Sequence, residues 1–477
     1  MHSAVSPGKN LDTMSGLSRR SFLTASAAAV AAPSFVRAQM ATDVDVVIVG
    51  AGAAGISAAR RILAANRRVV LLEAMNRPGG RCTTDSTIFG MPIDLGAHWI
   101  HRPDGNPPGG PISNSGLDIY AAPRGQIVRV GPRSARDAEL EGFVAALVRA
   151  RRAIVDAGRG KADAPAARAL PGDLGAWRPT VEFVLGPYAC GKDLASVSTG
   201  DLARMPERDS DAFCRQGYGA LLAKLAAGLP MQLSTPVTRI EWARGSVDVV
   251  TAKGSVRARA AIVTASTNVL ASGKIEFKPE LPKRQLDAAA ALSLGSYDHI
   301  AFDMPRNPLG LQRDDLVFEQ PSGPRTAALL ANVSGTNLHM VEVAGDFGRD
   351  LSTKGSPAMI EFAGDWIASL FGANAKKAIK RSYATRWNEE PFVLGAMSVA
   401  APGGGDARRI LAEPLGRVWL AGEALHETQW GTVNGAWESG QRVADAALRQ
   451  IGALRKPEED RSPQRSRQRR GRRGRDD

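Results

Sequence analysis

The chain has 477 residues, a formal net charge of +13 at pH 7 and 44% hydrophobic residues. This length is sufficient for about two domains that share substantial cores. Three cysteines exclude a disulfide-rich scaffold, and no paired metal-ligand spacing occurs, so we expect no metal site. A disulfide between Cys190 and Cys214 remains an alternative if the protein resides in an oxidising compartment.

The first predicted element is a signal peptide over residues 1–38. SRRSFL, with Arg19 and Arg20, resembles a twin-arginine signal, which exports proteins already folded in the cytoplasm. The apolar run that follows is shorter than the roughly 20 residues that span a membrane. We therefore expect a periplasmic protein that uses the twin-arginine machinery and has no stable membrane insertion. An ordinary secretory signal and a start at Met14 stay open.

A strand, a glycine-rich turn, a helix and a second strand follow the signal. The β-branched run at residues 44–49 leads directly into GAGAAG, and the second strand ends at an acid. Such glycines allow the tight turn, the approach of a pyrophosphate and close helix packing, while the acid binds ribose hydroxyls. The alternative is a turn whose glycines serve only packing. This unit does not distinguish an NAD-binding site from an FAD-binding site. The predicted cofactor-binding residues are Gly50, Gly52, Ala54, Gly55 and Glu73.

Two later segments distinguish FAD from NAD as the expected cofactor. NRPGGRCTT and DLGAHWIH together resemble the flavin monoamine oxidase family, where GGR follows the ribose-binding acid and the second segment runs along the flavin. The resemblance implies that Arg81 helps to hold the diphosphate, since a guanidinium offers paired donors to phosphate oxygens. A surface arginine and a core tryptophan are the alternatives. The residues implied to contact FAD here are Gly80, Arg81, Gly96, Ala97, His98 and Trp99.

The resemblance continues to about residue 450. LSTPVTRIEW places Val237 at the adenine, and RWNEEPF places Trp387 near the flavin, with core packing as the alternative. The final segment, GRVWLAGEALHETQWGTVNGAWESG, resembles the family's closing strand and helix. A helix N-terminus at the flavin favours the negative charge of its reduced form. The residues implied there are Gly422, Glu423, Thr432 and Val433.

The substrate side departs from the family pattern. His299 occupies the position of a lysine that holds a water at the flavin N5, so it is the predicted catalytic residue, with a buried strand histidine as the alternative. Met397 and Thr432 occupy the positions of two aromatic rings that hold the amine in many members. Trp430 or Trp437 is left to supply one ring.

The resemblance implies an α/β fold, in which a discontinuous Rossmann-like FAD-binding domain carries a second, α+β substrate-binding domain. The FAD-binding domain is predicted over residues 39–110, 214–272 and 396–455. Residues 111–213 and 273–395 form the predicted substrate-binding domain. The arginine-rich residues 456–477 form a predicted disordered basic tail, and without a nucleic-acid-binding fold we expect no nucleic acid partner.

The implied activity is FAD-dependent oxidation of a small-molecule amine. Hydride passes from the α-carbon to flavin N5, the imine is hydrolysed, and oxygen or a periplasmic acceptor takes the electrons. Ala396 stands where flavinylated members have cysteine, which implies noncovalent FAD. An L-amino acid or another flavin-linked substrate is one alternative, and an exported flavoprotein with a binding or structural role is another. Cofactor loading in the cytoplasm would explain export in the folded state.

Overall fold

The computed structural model describes residues 44–101, 116–123, 125–160, 162–206 and 210–454. The predicted signal peptide and the predicted basic tail lie outside the described residues. Within these ranges the strands are β1 (Val44–Val49), β2 (Val69–Leu72), β3 (Thr84–Asp85), β4 (Ile93–Asp94), β5 (Ile100–His101), β6 (Ile119–Ala121), β7 (Gln126–Val130), β8 (Arg133–Ser134), β9 (Asp211–Cys214), β10 (Met231–Gln232), β11 (Val237–Trp242), β12 (Val247–Thr251), β13 (Gly254–Val263), β14 (Glu276–Lys278), β15 (Tyr297–Asp303), β16 (Leu316–Glu319), β17 (Ala328–Leu330), β18 (Leu338–Ala344), β19 (Arg381–Ala384) and β20 (Val418–Leu420). The α-helices are α1 (Ala53–Ala64), α2 (Asp137–Gly158), α3 (Arg178–Phe183), α4 (Thr199–Ala203), α5 (Tyr218–Ala226), α6 (Thr267–Ala271), α7 (Lys283–Ala291), α8 (Gly345–Thr353), α9 (Ser356–Phe371), α10 (Ala373–Lys377), α11 (Ala407–Leu411) and α12 (Val433–Gln450).

The first sheet is built around the β-branched strand β1. This strand pairs in parallel with β2 on one side and β13 on the other. Val46 and Ile48 pack in the same core as α1 and α12, while Val47 and Val49 belong to a second core. Since alternate side chains face opposite sides of a strand, β1 is buried on both faces. The strand order is β10-β2-β1-β13-β12-β11-β14, with β20 beside β13.

The second sheet has the order β19-β15-β18-β17-β16-β7-β8. Its neighbouring strands are antiparallel except for β16 and β7, which are parallel. Ile300, Phe302 and Val341 pack with Trp366 and Ile367 of α9 in one core. A Rossmann-like sheet followed by this mixed sheet with helices confirms the predicted fold class.

The domain boundaries stay a prediction, and the packing differs from them after residue 272. Every strand of the second sheet lies in the ranges predicted for the substrate-binding domain. However, β14 lies beyond residue 272 and still pairs in parallel with β11 of the first sheet. Ala288, Ala289 and Leu292 also belong to the core that contains Val47. Because the apolar face of α7 is buried in this core, the chain packs with the first sheet as far as Leu292.

Two further features concern membranes and cysteines. Among the described residues, no helix is both long and apolar enough to cross a bilayer. Cys82, Cys190 and Cys214 are buried and free. The bridge between Cys190 and Cys214 that the sequence left open is therefore not formed in this structure.

Candidate functional site

A cavity of about 900 Å³ is lined by residues of both sheets and of the loops between them. Gly55 is the one predicted site residue that does not line it. The structure thus brings together segments that lie far apart in the sequence. The predicted residues in its lining are Gly50, Gly52, Ala54, Glu73, Gly80, Arg81, Gly96, Ala97, His98, Trp99, Val237, His299, Trp387, Gly422, Glu423, Thr432 and Val433.

The turn between β1 and α1 depends on its glycines. Gly50 has a φ of +99°, in the left-handed region that favours glycine. A Cβ on Gly55 would lie 2.0 Å from the Gly50 carbonyl oxygen, whereas a Cβ on Gly52 would meet no protein atom within 4 Å. Gly55 therefore allows the helix to lie close to the strand, and Gly52 leaves the cavity open.

Gly52, Ala53 and Ala54, at the start of α1, line the cavity. Gly52 at the N-cap supplies no side-chain acceptor, and the first turn contains no acidic residue. The first N–H groups of a helix have no partner inside the helix, and the helix dipole favours an anion beside them. This end of α1 can therefore bind a diphosphate.

Glu73 follows β2 and is buried at the cavity wall, with 6% of its surface exposed. Its carboxylate accepts hydrogen bonds from the backbone N–H groups of Ala51 at 2.6 Å and Met75 at 2.8 Å. Burial raises the pKa of Glu73, although these two hydrogen bonds lower it. The carboxylate is fixed in orientation and keeps lone pairs for the predicted ribose hydroxyls.

Arg81 is held at the cavity by residues from the end of the chain. Its Nη1 donates to Glu423 Oε1 at 2.9 Å and also to the carbonyl of Ala396. The Glu423 carboxylate further accepts from Ser398 Oγ at 2.7 Å and from the Gly431 N–H at 2.8 Å. This network joins the GGR segment to the last strand and helix.

The segment Gly96–Trp99 is packed closely against Trp387. A Cβ on Gly96 would lie 2.0 Å from the Arg81 carbonyl oxygen and 3.1 Å from Cζ2 of Trp387. The Trp387 indole N–H donates to the Leu95 carbonyl at 2.8 Å. Trp387 therefore packs against this segment and also lines the cavity. It combines the two roles that the sequence left as alternatives, core packing and a place near the flavin.

The remaining wall comes from β11 and the start of α12. Val237 lies where the pairing of β11 with β12 shifts register. The Thr432 side chain caps α12 by accepting from the Gly435 N–H at 2.9 Å, and the first turn has no acidic residue. A Cβ on Gly422 would meet no protein atom within 4 Å. One cavity therefore offers two helix N-termini, an arginine, a fixed carboxylate and two open glycine positions, and these features fit FAD.

His299 lies on β15 with 5% of its surface exposed. Its Nδ1 lies 3.3 Å from the Asp94 carbonyl oxygen, and its Nε2 lies 3.7 Å from Glu342 Oε1. Burial lowers the pKa of His299 to about 4, so the ring is neutral at neutral pH. His299 is in the cavity wall as predicted, but it does not replace the positive charge of the family's lysine.

The rings in the cavity wall differ from those considered from the sequence. Trp430 and Trp437 do not line the cavity, because each is buried in a separate core. Tyr188 and Tyr297 line it instead, with ring centroids 6.2 Å apart. The sequence analysis missed both tyrosines. Tyr297 precedes His299 by two residues, and this same-face spacing on a strand is a signal that could have found it.

The comparisons with known proteins agree with this site. The family described as flavin containing amine oxidoreductase matches residues 167–448, and the NAD(P)-binding Rossmann-like domain matches residues 48–109. Lysine-specific histone demethylase 1 homolog 1 of Arabidopsis thaliana is 28% identical, over 85% of this chain and 52% of that protein. Polyamine oxidase 4 of Oryza sativa subsp. japonica is 27% identical, over 87% of this chain and 91% of that protein. The chain thus spans about half the length of the demethylase.

Two solved structures share the fold. Cyclohexylamine oxidase from Brevibacterium oxydans IH-35A has a TM-score of 0.72 at 20% identity, over 86% of this chain and 100% of that one. Putrescine oxidase bound to putrescine has a TM-score of 0.69 at 19% identity, over 86% of this chain and 99% of that one. Since the family match spans more than half of the sequence, the chain belongs to the flavin containing amine oxidoreductase family.

Proposed function

We propose that this protein is an FAD-dependent oxidoreductase that oxidises a small-molecule amine. The observation that carries the proposal is the continuity of one cavity, which extends from the glycine turn before α1 to the rings of Tyr188 and Tyr297. A cofactor bound along the first part and a substrate in the second would share this cavity. The names of relatives, polyamine oxidase and putrescine oxidase among them, agree with a small amine.

The residues of the first sheet would bind the cofactor. FAD, when bound, supplies the acceptor for a hydride from the amine α-carbon and passes the electrons to oxygen or another acceptor. The N–H groups at the start of α1 and the Arg81 guanidinium would hold its diphosphate, and Glu73 its ribose hydroxyls. Ala396 in the cavity wall provides no thiol for a covalent link.

The residues of the second sheet would prepare the substrate. An amine gives up a hydride from its α-carbon only when its nitrogen is neutral, and a dry cavity favours that neutral form. Tyr188 and Tyr297 supply ring surface without charge. Since Nδ1 of His299 faces the Asp94 carbonyl, we assign Nε2 as the hydrogen-bond acceptor of this ring.

The cations in the cavity favour an amine over an amino acid. Among the lining residues that the structure describes, Arg81 and Lys274 carry positive charges. Arg81 is the residue proposed above to hold the diphosphate, and Lys274 Nζ donates to the Pro391 carbonyl at 2.7 Å. No described lining arginine is therefore left over to hold a substrate carboxylate, which weakens the amino-acid alternative.

The test is an anaerobic panel of amines and amino acids mixed with the purified flavoprotein. We expect one amine class to bleach the flavin absorbance and to yield peroxide, or reduce an added acceptor, when the oxidant is admitted. If only amino acids bleach the flavin, the substrate is an amino acid and the proposed amine substrate is wrong. A flavin that no compound bleaches would favour a binding or structural role.

We also propose export by the twin-arginine route. The support is the SRRSFL segment and a cofactor that must be loaded into a folded domain. Replacing Arg19 and Arg20 with lysine should leave FAD-loaded protein in the cytoplasm, measured by fractionation. Unchanged export of the variant would refute this route.

A further inference from the structure

Three buried acceptor groups from separate segments converge beside the cavity. His98 precedes β5, His299 lies on β15 and Glu342 lies on β18. Glu342 Oε1 lies 3.5 Å from His98 Nε2 and 3.7 Å from His299 Nε2. One potential ligand atom from each residue lies within 4.8 Å of the others. We call these three residues the His-His-Glu cluster.

The backbone contacts of both rings leave Nε2 as the atom that faces the carboxylate. His299 Nδ1 lies 3.3 Å from the Asp94 carbonyl oxygen, and His98 forms a backbone hydrogen bond at Gly96. His98 Nε2 is buried without a hydrogen-bond partner, and the Glu342 carboxylate is buried beside the Tyr297 hydroxyl. A backbone carbonyl that holds one ring nitrogen and frees the other is the usual support of a metal-binding histidine.

The spacing in the cluster differs from that of other imidazole–carboxylate pairs in the chain. His101 lies 2.8 Å from Asp211 and His426 lies 2.7 Å from Glu438, so each pair forms a direct hydrogen bond. The separations of 3.5 and 3.7 Å in the cluster are too long for that. They are close to the roughly 3.4 Å between neighbouring ligands of a tetrahedral zinc ion with bonds of about 2.1 Å.

We propose that His98, His299 and Glu342 form a binding site for a divalent transition-metal ion of the zinc class. Two imidazoles and one carboxylate are a common set of three protein ligands, and they leave one coordination position open. Imidazole ligands favour Zn²⁺ over Mg²⁺ or Ca²⁺, which require mostly oxygen. Since both histidines line the cavity, the open position faces it.

The competing occupant of this space is a proton. Burial raises the pKa of Glu342 to about 8, although the Tyr297 hydroxyl lowers it, and a protonated carboxyl could donate to one imidazole. A metal and a proton are distinguished by measuring bound metal directly.

The test uses FAD-loaded, tag-free protein, dialysed with Zn²⁺ and then against metal-free buffer. We expect one zinc per chain by mass spectrometry and a saturable zinc titration by calorimetry. Glu342→Gln and His98→Asn should each weaken binding by more than about 100-fold, because even outer-shell partners contribute about 10–100-fold. His426→Asn, which removes a directly bonded imidazole–carboxylate pair, is the matched control and should bind zinc like the wild type.

Wild-type protein that retains no zinc, or cluster variants that bind as well as wild type, would overturn the proposal. If a variant loses its fold, the wild type alone still decides. Crystals soaked in Zn²⁺ should give an anomalous peak in contact with all three side chains, and a peak elsewhere or no peak would refute the site. Neither measurement uses amine oxidation, so the metal site is tested independently of the proposed function.

Discussion

On the side of the first sheet the cavity is lined by glycines and by the beginnings of two helices, whereas on the side of the second sheet it is lined by the ring-bearing residues Tyr297 and His299 of β15. Gly52 and the first turn of α1 present N–H groups, and Thr432 and Val433 begin a second helix. Tyr297 and His299 lie on β15, and Glu342 is the cross-strand partner of His299 on β18. The first side is suited to binding the diphosphate of a cofactor. The side chains of the second side are the ones that would contact the substrate.

The largest effect is expected from breaking a buried ion pair that joins the two predicted domains. Asp201 of α4 and Arg408 of α11 form a buried ion pair, with contacts of 2.6 and 3.0 Å and at most 2% of either residue exposed. Arg408→Met leaves the buried Asp201 carboxylate with the Ala400 N–H at 2.8 Å and Arg204 Nη2 at 3.5 Å, so the free energy of unfolding should fall by about 3–4 kcal/mol, in the lower part of the range for broken buried pairs. Urea unfolding and flavin content measure the loss.

The control for this prediction is Arg257→Met, which removes an exposed ion pair with Asp248. Exposed pairs contribute at most about 1 kcal/mol, so this variant should unfold nearly like the wild type. Equal losses in the two variants would contradict the role given to the buried pair.

The next prediction concerns the glycines of the first side. Gly55→Ala should destabilise the protein by about 3 kcal/mol, at the upper end for overpacking, because its Cβ would lie 2.0 Å from a carbonyl oxygen. Gly52→Ala should leave the stability of flavin-free protein unchanged and weaken FAD retention, since its Cβ would extend into the cavity. Thermal unfolding and flavin fluorescence separate the two effects, and similar behaviour of both variants would oppose the distinct roles.

The second sheet should respond to acid through its buried histidines. His339 on β18 is fully buried, and burial lowers its pKa to about 4. A histidine with a lowered folded pKa contributes stability that is complete above about pH 6.5 and is lost as the pH falls toward 4. His339→Asn keeps an acceptor for the Asn332 N–H and removes the titration.

This variant should therefore lose less stability on acidification than the wild type. Between pH 7 and pH 5 the difference in the free energy of unfolding between the two proteins should change by about 2 kcal/mol in favour of the variant. Urea unfolding at both pH values measures this difference, and a constant difference would show that His339 does not titrate as described.

The smallest effect is expected at a ring of the second side. Tyr188→Ala should raise KM for the amine about tenfold, equivalent to about 1.4 kcal/mol, and leave flavin content unchanged. Tyr383→Ala removes a half-buried tyrosine of β19 that does not line the cavity, so its KM should stay at the wild-type value. An unchanged KM in the Tyr188 variant would place the substrate elsewhere.

Particular residues show why the two sides differ in how far the sequence predicts them. Gly50 and Gly52 lie between a strand and a helix, and Gly55 lies in the first turn of that helix, so this glycine pattern with the second strand and its terminal acid indicates a phosphate-binding turn. Trp430 and Trp437 lie within the family's closing segment, yet both are buried in hydrophobic cores. Which side chains of that segment are buried is decided by contacts with residues that are distant in sequence.

The sequence by itself determined the Rossmann-like unit, the family resemblance and a list of residues that, Gly55 apart, line one cavity. These features depend on local geometry, since a helix N-terminus and a positive φ are fixed within a few residues. Only the tertiary structure brought Tyr188 to Tyr297 and Glu342 to both histidines. Their convergence depends on strand register and on burial, and a short sequence motif encodes neither. Burial also makes His299 a neutral ring.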